Sequence, residues 1–233
     1  MKPMLVVACY DGTVHTQFMQ SVLNSQLLLA AQGIPLTVQN LDGCCHVDDA
    51  YNLLLRFFLN SDCTHVITVG SDQGWRAEDM LKLLNHGKKH DIVAGVVPKK
   101  SEDPEWNVVY AAEQLWADSD GLIEAHMVGT GFMCLSRNAV EKLAEGAENY
   151  ILYGMRDVPL ILERRILGFG RFSGDNVLCM KWRELGGKLY VDPEMHFTHS
   201  GTKTWAGCVG DWYRARMKDD LAEDAHEVLM AAK

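Results

Sequence analysis

No stretch of the sequence stays apolar for the roughly 20 residues that a membrane helix requires. The first apolar run, Leu5 to Cys9, stops at Tyr10-Asp11-Gly12 and is too short for the core of a signal peptide. Cys-x-x-Cys is absent, and the 7 cysteines are scattered apart from the neighbours Cys44 and Cys45. A structural zinc site has no spacing to support it, and free thiols in a reducing cytoplasm are the expected state. Positive charge is scarce: 22 Lys and Arg stand against 31 Asp and Glu, a formal net charge of -9. Such a chain does not attract nucleic acid or anionic lipid non-specifically. Lys88-Lys89-His90 and Lys99-Lys100 are the densest basic spots of the first half. No repeat, low-complexity segment or linker divides the chain. No Gly-x-Gly-x-x-Gly follows the first apolar run, which argues against a dinucleotide site, and neither a P-loop nor Gly-x-Ser-x-Gly occurs.

What is there reads as one globular unit. Hydrophobic residues make up 48% and charged residues 23%, an ordinary balance, and the length suffices for a sizeable core. Leu5–Cys9 and His65–Val69 read as buried strands, and Leu36–Leu41 and Asp91–Val97 as two further strands. Between them, the spacing predicts helices over Gln17–Ala31, Asp48–Leu59 and Ala77–Leu84. This alternation implies an α/β fold with a mainly parallel sheet flanked by helices. Ligands in such sheets sit beyond the carboxyl ends of the strands, the edge on which Asp11, Asp42 and Asp72 would fall. The second half is less regular. Short strands are predicted near Val108–Ala112, Leu122–Ala125, Phe132–Leu135 and Lys188–Val191, and helices over Asn138–Ala144 and Asp175–Leu185. Gly168 to Gly174 reads as a flexible loop, and the charged tail after Asp211 as a helix packed on the outside.

The informative element is Val69-Gly70-Ser71-Asp72, an acidic residue directly after a buried strand. A carboxylate there projects into the ligand crevice and can hold a hard divalent ion, which shares its shell with phosphates. His199 is a second candidate ligand. Asp after a strand is also an ordinary turn or capping residue, and a lone strand His is commonly a core residue.

The ordered set of segments resembles the GT-A glycosyltransferases, of the family-2-like kind. Val66 to Leu84 is similar to that family's strand, Asp-x-Asp and helix. Asp91 to Lys100 resembles the next strand and loop, and Val128-Gly129-Thr130-Gly131-Phe132-Met133 its glycine turn. Gly174 to Pro193 followed by His199-Ser200-Gly201 resembles its closing block. The likeness spans roughly residues 5 to 207. It implies a single GT-A (Rossmann-like) domain over 1–210, with 211–233 as a helical tail. It implies that Asp72 and His199 bind Mn²⁺ or Mg²⁺, and that Tyr10, Asp11 and Asp42 hold the nucleotide base and ribose. Asn52 stands where the family often has an Arg-Asn pair, with Tyr51 in place of the Arg. Gly129 and Gly131 fall in the glycine turn. Asp175 matches the acidic residue near the acceptor hydroxyl. The first Asp of Asp-x-Asp is Gly70 here.

The expected activity is transfer of a sugar from a nucleoside-diphosphate sugar to a hydroxyl acceptor, assisted by a divalent metal. With Gly70 in place, a metal-independent site in which Lys99 or Lys100 neutralises the diphosphate is the alternative. Asp175 reads equally as a general base and as a helix-start residue. Tight-turn geometry would by itself account for Gly129 and Gly131. Trp75 and Trp106 read as packing residues or as stacking platforms. A nucleotidyltransferase would share the sheet but carry a basic, glycine-rich loop after the first strand. A non-catalytic nucleotide-sugar-binding module is the third reading. The acceptor is a glycan or another hydroxyl compound. A nucleic-acid acceptor is disfavoured by net charge, although Arg164, Arg165 and Arg171, or Arg214 and Arg216, could form a patch.

Overall fold

The computed structural model of the protein describes residues 1–112, 117–145, 156–162 and 165–217, with the backbone alone for 156–162 and 165–171. Arg164 and the tail beyond residue 217 lie outside the described residues, as do the side chains of Arg165 and Arg171.

The first half alternates as its apolar runs require. β1 (Pro3–Cys9), α1 (Thr16–Ala31), β2 (Thr37–Asp42), α2 (Val47–Leu59), β3 (His65–Gly70), β4 (Gln73–Trp75), α3 (Ala77–Gly87) and β5 (Ile92–Gly95) follow in order. Local signals set the helix ends. Gly33 adopts φ +69 after α1. Its N–H donates to Ala30 O at 3.0 Å, and that of Ile34 donates to Leu29 O at 2.9 Å. These two bonds form a Schellman close, which needs the left-handed residue that glycine supplies without strain. α2 opens on Asp48 and Asp49 and ends near Arg56, and α3 opens on Glu78 and Asp79. Both place charge favourably against the helix dipole.

The second half contributes β6 (Val108–Tyr110), β7 (Ile123–Val128), β8 (Phe132–Ser136), α4 (Arg137–Glu145), β9 (Arg156–Leu162), β10 (Arg165–Phe172), α5 (Gly174–Glu184), β11 (Leu189–Asp192), β12 (Phe197–Ser200) and β13 (Thr204–Gly207). A last helix, α6, covers 209–217. Eight strands form one mixed sheet in the order β2-β1-β3-β8-β5-β11-β7-β6. β1, β2 and β3 are mutually parallel, and β5 is parallel to β11. β8 runs antiparallel between β3 and β5.

Alternation along the strands sorts the core into two layers. Met4 and Val6 of β1 and Met133 and Leu135 of β8 face the layer of Leu54, Phe58, Val140 and Leu178 from α2, α4 and α5. Leu5 and Val7, Phe132 and Cys134 face Phe18 and Leu29 of α1 and Met80 and Leu83 of α3. The sheet is therefore a middle layer with helices on both faces. Among the described residues no helix is long and apolar enough to cross a membrane.

Two elements differ from the expectation. The segment 168–172 is part of β10 rather than a flexible loop, paired antiparallel with β9 through a bulge between Ile166 and Gly168. Glycine lacks a side chain but keeps its backbone donor and acceptor, so it can sit in a two-stranded ladder. β4, β12 and β13 form a separate small sheet in the order β13-β12-β4. At three or four residues each they are too short to show periodicity.

Candidate functional site

β1, β2 and β3 end side by side, with Cys9 opposite Asp42 and Ala8 opposite Gly70. The loops carrying Tyr10 and Asp11, Asp42, and Asp72 therefore line one sheet edge. The chain turns at Ser71-Asp72 and re-enters as β4, whose Gln73 pairs with His199 of β12. The Ser200 amide donates to Asp72 O at 2.7 Å. This register, rather than any sequence spacing, brings Asp72 and His199 together.

Asp72 Oδ2 lies 3.4 Å from His199 Nε2 and 2.5 Å from the Lys100 ammonium. The other His199 nitrogen, Nδ1, is 2.8 Å from Pro98 O. A carbonyl only accepts, so Nδ1 carries the proton and a neutral His199 turns its Nε2 lone pair toward the carboxylate. Two acceptors face each other stably only with a positive charge shared between them: a proton, the neighbouring ammonium or a metal ion. Burial pushes the Asp72 carboxyl up, but His199 and Lys100 outweigh it and hold the group well below the usual carboxylate range. A backbone carbonyl that fixes the imidazole tautomer is also how metal-ligating histidines are oriented. Asp72 Oδ2 and His199 Nε2 thus fit a divalent cation as two of its ligands, with Lys100 competing for the same oxygen.

The position of the missing Asp is filled. Gln73 is buried, and its Oε1 accepts from the Gly70 amide at 2.9 Å. A Cβ at Gly70 would stand 2.9 Å from both Asp72 Oδ1 and Gln73 Cδ, and one at Gly131 only 2.4 Å from Gln73 Nε2. The Gln73 amide is wedged between two glycines. Neither Gly129 nor Gly131 has a positive φ. A side chain at Gly131 would have to displace the Gln73 amide, and one at Gly129 the Asn107 amide. At Gly129 a Cβ would lie 2.6 Å from Asn107 Nδ2.

A cavity of about 270 Å³ opens here, lined by Tyr51, Gln73, Lys99, Gly129, Gly131, Asp175 and His199 among others. The buried Thr68 hydroxyl donates to Thr130 O at 2.7 Å and pins the glycine turn to β3. Tyr51 donates its phenol to Val69 O at 2.9 Å, and burial, reinforced by the Asp72 charge, pushes that phenol up. Asp175 stands in the first turn of α5. It accepts from the Asn176 amide at 2.8 Å and from the Ser173 hydroxyl, and from Asn107 Nδ2 at 3.3 Å. It is both a helix-start residue and a cavity wall. Asp48 crowds the same helix start, where a Cβ on Gly174 would collide with its carboxylate. Burial, and then the Asp175 charge, push the Asp48 carboxyl up.

The remaining expected residues are distributed unevenly. Lys99 lines the cavity, but its ammonium pairs with Glu105 at 3.1 Å. Lys100 is the lysine that reaches Asp72. Tyr10, Asp11, Asp42 and Asn52 do not line the cavity, and neither does Asp72, which reaches it only through its contact with His199. Asp11 is tied to Thr13, whose hydroxyl donates to it at 2.8 Å, and Asp42 accepts from Asn40 at 2.9 Å. Trp75 is a core residue: it packs against Phe18 and Phe132 and donates Nε1 to Ser25 at 2.9 Å. Trp106 packs over Gly207, next to its bridge with Pro98. Gln73, Asn107 and Asp48 are not visible as site residues in the sequence. Each is a common polar residue in an ordinary position, and only the pairing of distant segments gives it a role.

No protein-family description matches the sequence. No curated protein is similar to it in sequence. Solved structures are similar in fold. The A197 protein from STIV superposes with a TM-score of 0.54 over 86% of each chain, at 14% identity. GalNAc-T7, crystallised with UDP, GalNAc and Mn²⁺, gives a TM-score of 0.53 at 11% identity. The chain has a GT-A-like fold. It covers 86% of A197, whereas the match to GalNAc-T7, over 85% of this chain, takes in only 44% of that one.

Proposed function

We propose that the protein is a glycosyltransferase that moves a sugar from a nucleoside-diphosphate sugar to a hydroxyl acceptor. One observation carries this reading. Asp72 and Lys100 meet at His199, which lines a sheet-edge cavity together with Asp175. The GalNAc-T7 neighbour, which holds UDP, GalNAc and Mn²⁺ in its own crystals, is consistent with it.

In this reading the diphosphate lies against Asp72, His199 and Lys100. A divalent ion on Asp72 and His199 would supply Lewis-acid stabilisation of the departing nucleoside diphosphate. Lys100 adds a fixed positive charge to the same group. The sugar lies in the cavity beside the Gly129–Gly131 turn, within reach of the Gln73 and Asn107 amides. Asp175 takes the proton of the acceptor hydroxyl, held in place by Asn107 and the Asn176 amide. The base and ribose extend along the open edge past Tyr10, Asp11 and Asp42. The acceptor is a glycan or similar hydroxyl compound, since a net charge of -9 gives a nucleic-acid backbone little to hold.

The contact between Lys100 and Asp72 favours a second reading of the same activity, in which Lys100 alone neutralises the diphosphate and no metal is needed. Calorimetric titration with UDP, GDP, CDP and dTDP, each with and without Mn²⁺, separates the two. Metal-dependent binding of one nucleotide, lost in Asp72→Ala, supports the metal form. Metal-indifferent binding, lost in Lys100→Ala, supports the lysine form. Binding of none of the four contradicts the glycosyltransferase reading.

A further inference from the structure

A second cluster of ligating side chains lies away from this cavity, at the root of the β12–β13 hairpin. His196 immediately precedes β12, Cys208 immediately follows β13, and Asp211 sits in the first turn of α6. Their donor atoms all lie within 4.8 Å of one another. His196 Nε2 is 3.7 Å from Asp211 Oδ2. The other Asp211 oxygen, Oδ1, accepts from Arg214 at 2.7 Å, which orients the carboxylate with Oδ2 toward the imidazole. The His196 amide donates to the buried Asp79 at 3.0 Å and anchors the backbone at this point. Cys208 Sγ lies 3.2 Å from Pro193 O. All three residues line a cavity of about 490 Å³, shared with Gln17, Ser21 and Arg76.

We infer that His196, Cys208 and Asp211 form a zinc site, open on one side to this cavity. Chemistry selects the ion. One thiolate, one imidazole and one carboxylate suit borderline-soft Zn²⁺ and do not suit Mg²⁺ or Ca²⁺, which take oxygen ligands. Tetrahedral zinc, with bonds of about 2.0–2.3 Å, spaces its donors by about 3.3–3.7 Å. His196 and Asp211 are already at that spacing, and the sulfur has to close by about 1 Å at most. Three protein ligands leave a fourth position for water or a small ligand from the cavity. The site differs in kind from Asp72 and His199, which offer one oxygen and one nitrogen. Bound zinc ties both ends of the hairpin that carries His199 to the start of α6. The inference does not depend on the transferase reading.

The test uses the purified, metal-stripped full chain. Zn²⁺ is titrated by calorimetry, and Co²⁺ is followed by absorption for thiolate-to-cobalt charge transfer. A thiolate band that saturates at one equivalent of Co²⁺ and a matching tight zinc step are expected. Both are lost in Cys208→Ser, and zinc binding weakens in His196→Ala by at least the 10–100-fold that even an outer-shell partner commands. Both persist in Asp72→Ala and in Cys44→Ser/Cys45→Ser. Should Cys208→Ser fail to fold, His196→Ala alone decides. Absence of the thiolate band, zinc binding unchanged in His196→Ala, or loss of the band in Cys44→Ser/Cys45→Ser would each overturn the assignment.

Discussion

The Gln73 amide occupies the space that a side chain at Gly131 would take: a Cβ there would stand 2.4 Å from Gln73 Nε2. The same amide holds the Gly70 N–H at 2.9 Å. Gly70 is therefore not a simple loss of a metal ligand. It is one part of a packed arrangement in which Gln73 fills the space that the first carboxylate of Asp-x-Asp would need.

Restoring that carboxylate alone is expected to destabilise the protein. Gly70→Asp displaces the Gln73 amide and leaves buried polar groups unpaired, at a cost of about 1–3 kcal/mol. Adding Gln73→Ser makes room, and the double variant is expected to regain part of the loss. Urea unfolding of the wild type, the single and the double variant checks this. A single variant as stable as the wild type would show that Gln73 moves aside without cost.

In the proposed metal form, Lys100 and a divalent ion would compete for Asp72 Oδ2. Lys100→Ala should raise the apparent Mn²⁺ affinity, by about tenfold for each 1.4 kcal/mol of competition removed. Mn²⁺ titration of both proteins by electron paramagnetic resonance gives the answer. Weaker Mn²⁺ binding in the variant would mean that Lys100 supports the metal pair.

Asp175→Asn keeps one acceptor oxygen for the helix start but removes the charge and the second acceptor. Under the proposed function it should lower kcat by about 10²–10⁴-fold. Nucleotide affinity should hold, and stability should change by less than about 1 kcal/mol. Once the donor is identified, steady-state kinetics and thermal melts of this variant report both. Unchanged turnover with a lowered melting temperature would leave Asp175 as a structural residue only.

The buried Asp192 carboxylate accepts from His86 and Lys82 at 3.1 Å each and from the Glu194 amide at 2.8 Å. Burial alone would raise it, but these partners hold it below the usual carboxylate range. A depressed folded pKa contributes stability in full above the unfolded value of about 3.9, and that stability is lost as pH falls through the folded value. Asp192→Asn should therefore cost about 1.5–3 kcal/mol at neutral pH. Below about pH 4 its stability should fall less steeply than the wild type's. Denaturant unfolding at a series of pH values measures both slopes, and parallel slopes would contradict the assignment.

The sheet was legible because its strands are long enough to show a pattern. Leu5–Cys9 is a solid apolar run, His65–Val69 is rich in β-branched residues, and α2 carries a clear apolar face with acidic residues at its start. β4 and the β12–β13 hairpin were not legible, since three or four residues carry no period. Their pairing is what joins Asp72 to His199. The likeness to a family singled out both residues, and the register of β4 with β12 supplies the physical reason that they meet. Gln73 meets Gly131, Asn107 bonds Asp175 and Asp48 crowds Gly174, partners on distant segments that no local spacing encodes. The glycines misled in a different way. Gly129 and Gly131 read as turn residues, but each faces an amide that a side chain there would have to displace. Gly168 and Gly170 read as a loop and stand in a strand.

The cavity at Asp175 draws on chain positions from Val47 and Tyr51 through Gln73, Lys99, Asn107 and Gly131 to His199. No contiguous piece of the chain contains it, so it exists only when the whole domain has folded. A compound that enters it binds the native state and not the unfolded one, and must raise the melting temperature by mass action. At a concentration about 100 times its Kd the gain is about 2.7 kcal/mol. Melting curves can therefore rank donor nucleotides and sugars before any acceptor is known, with the protein's own cooperativity serving as the assay.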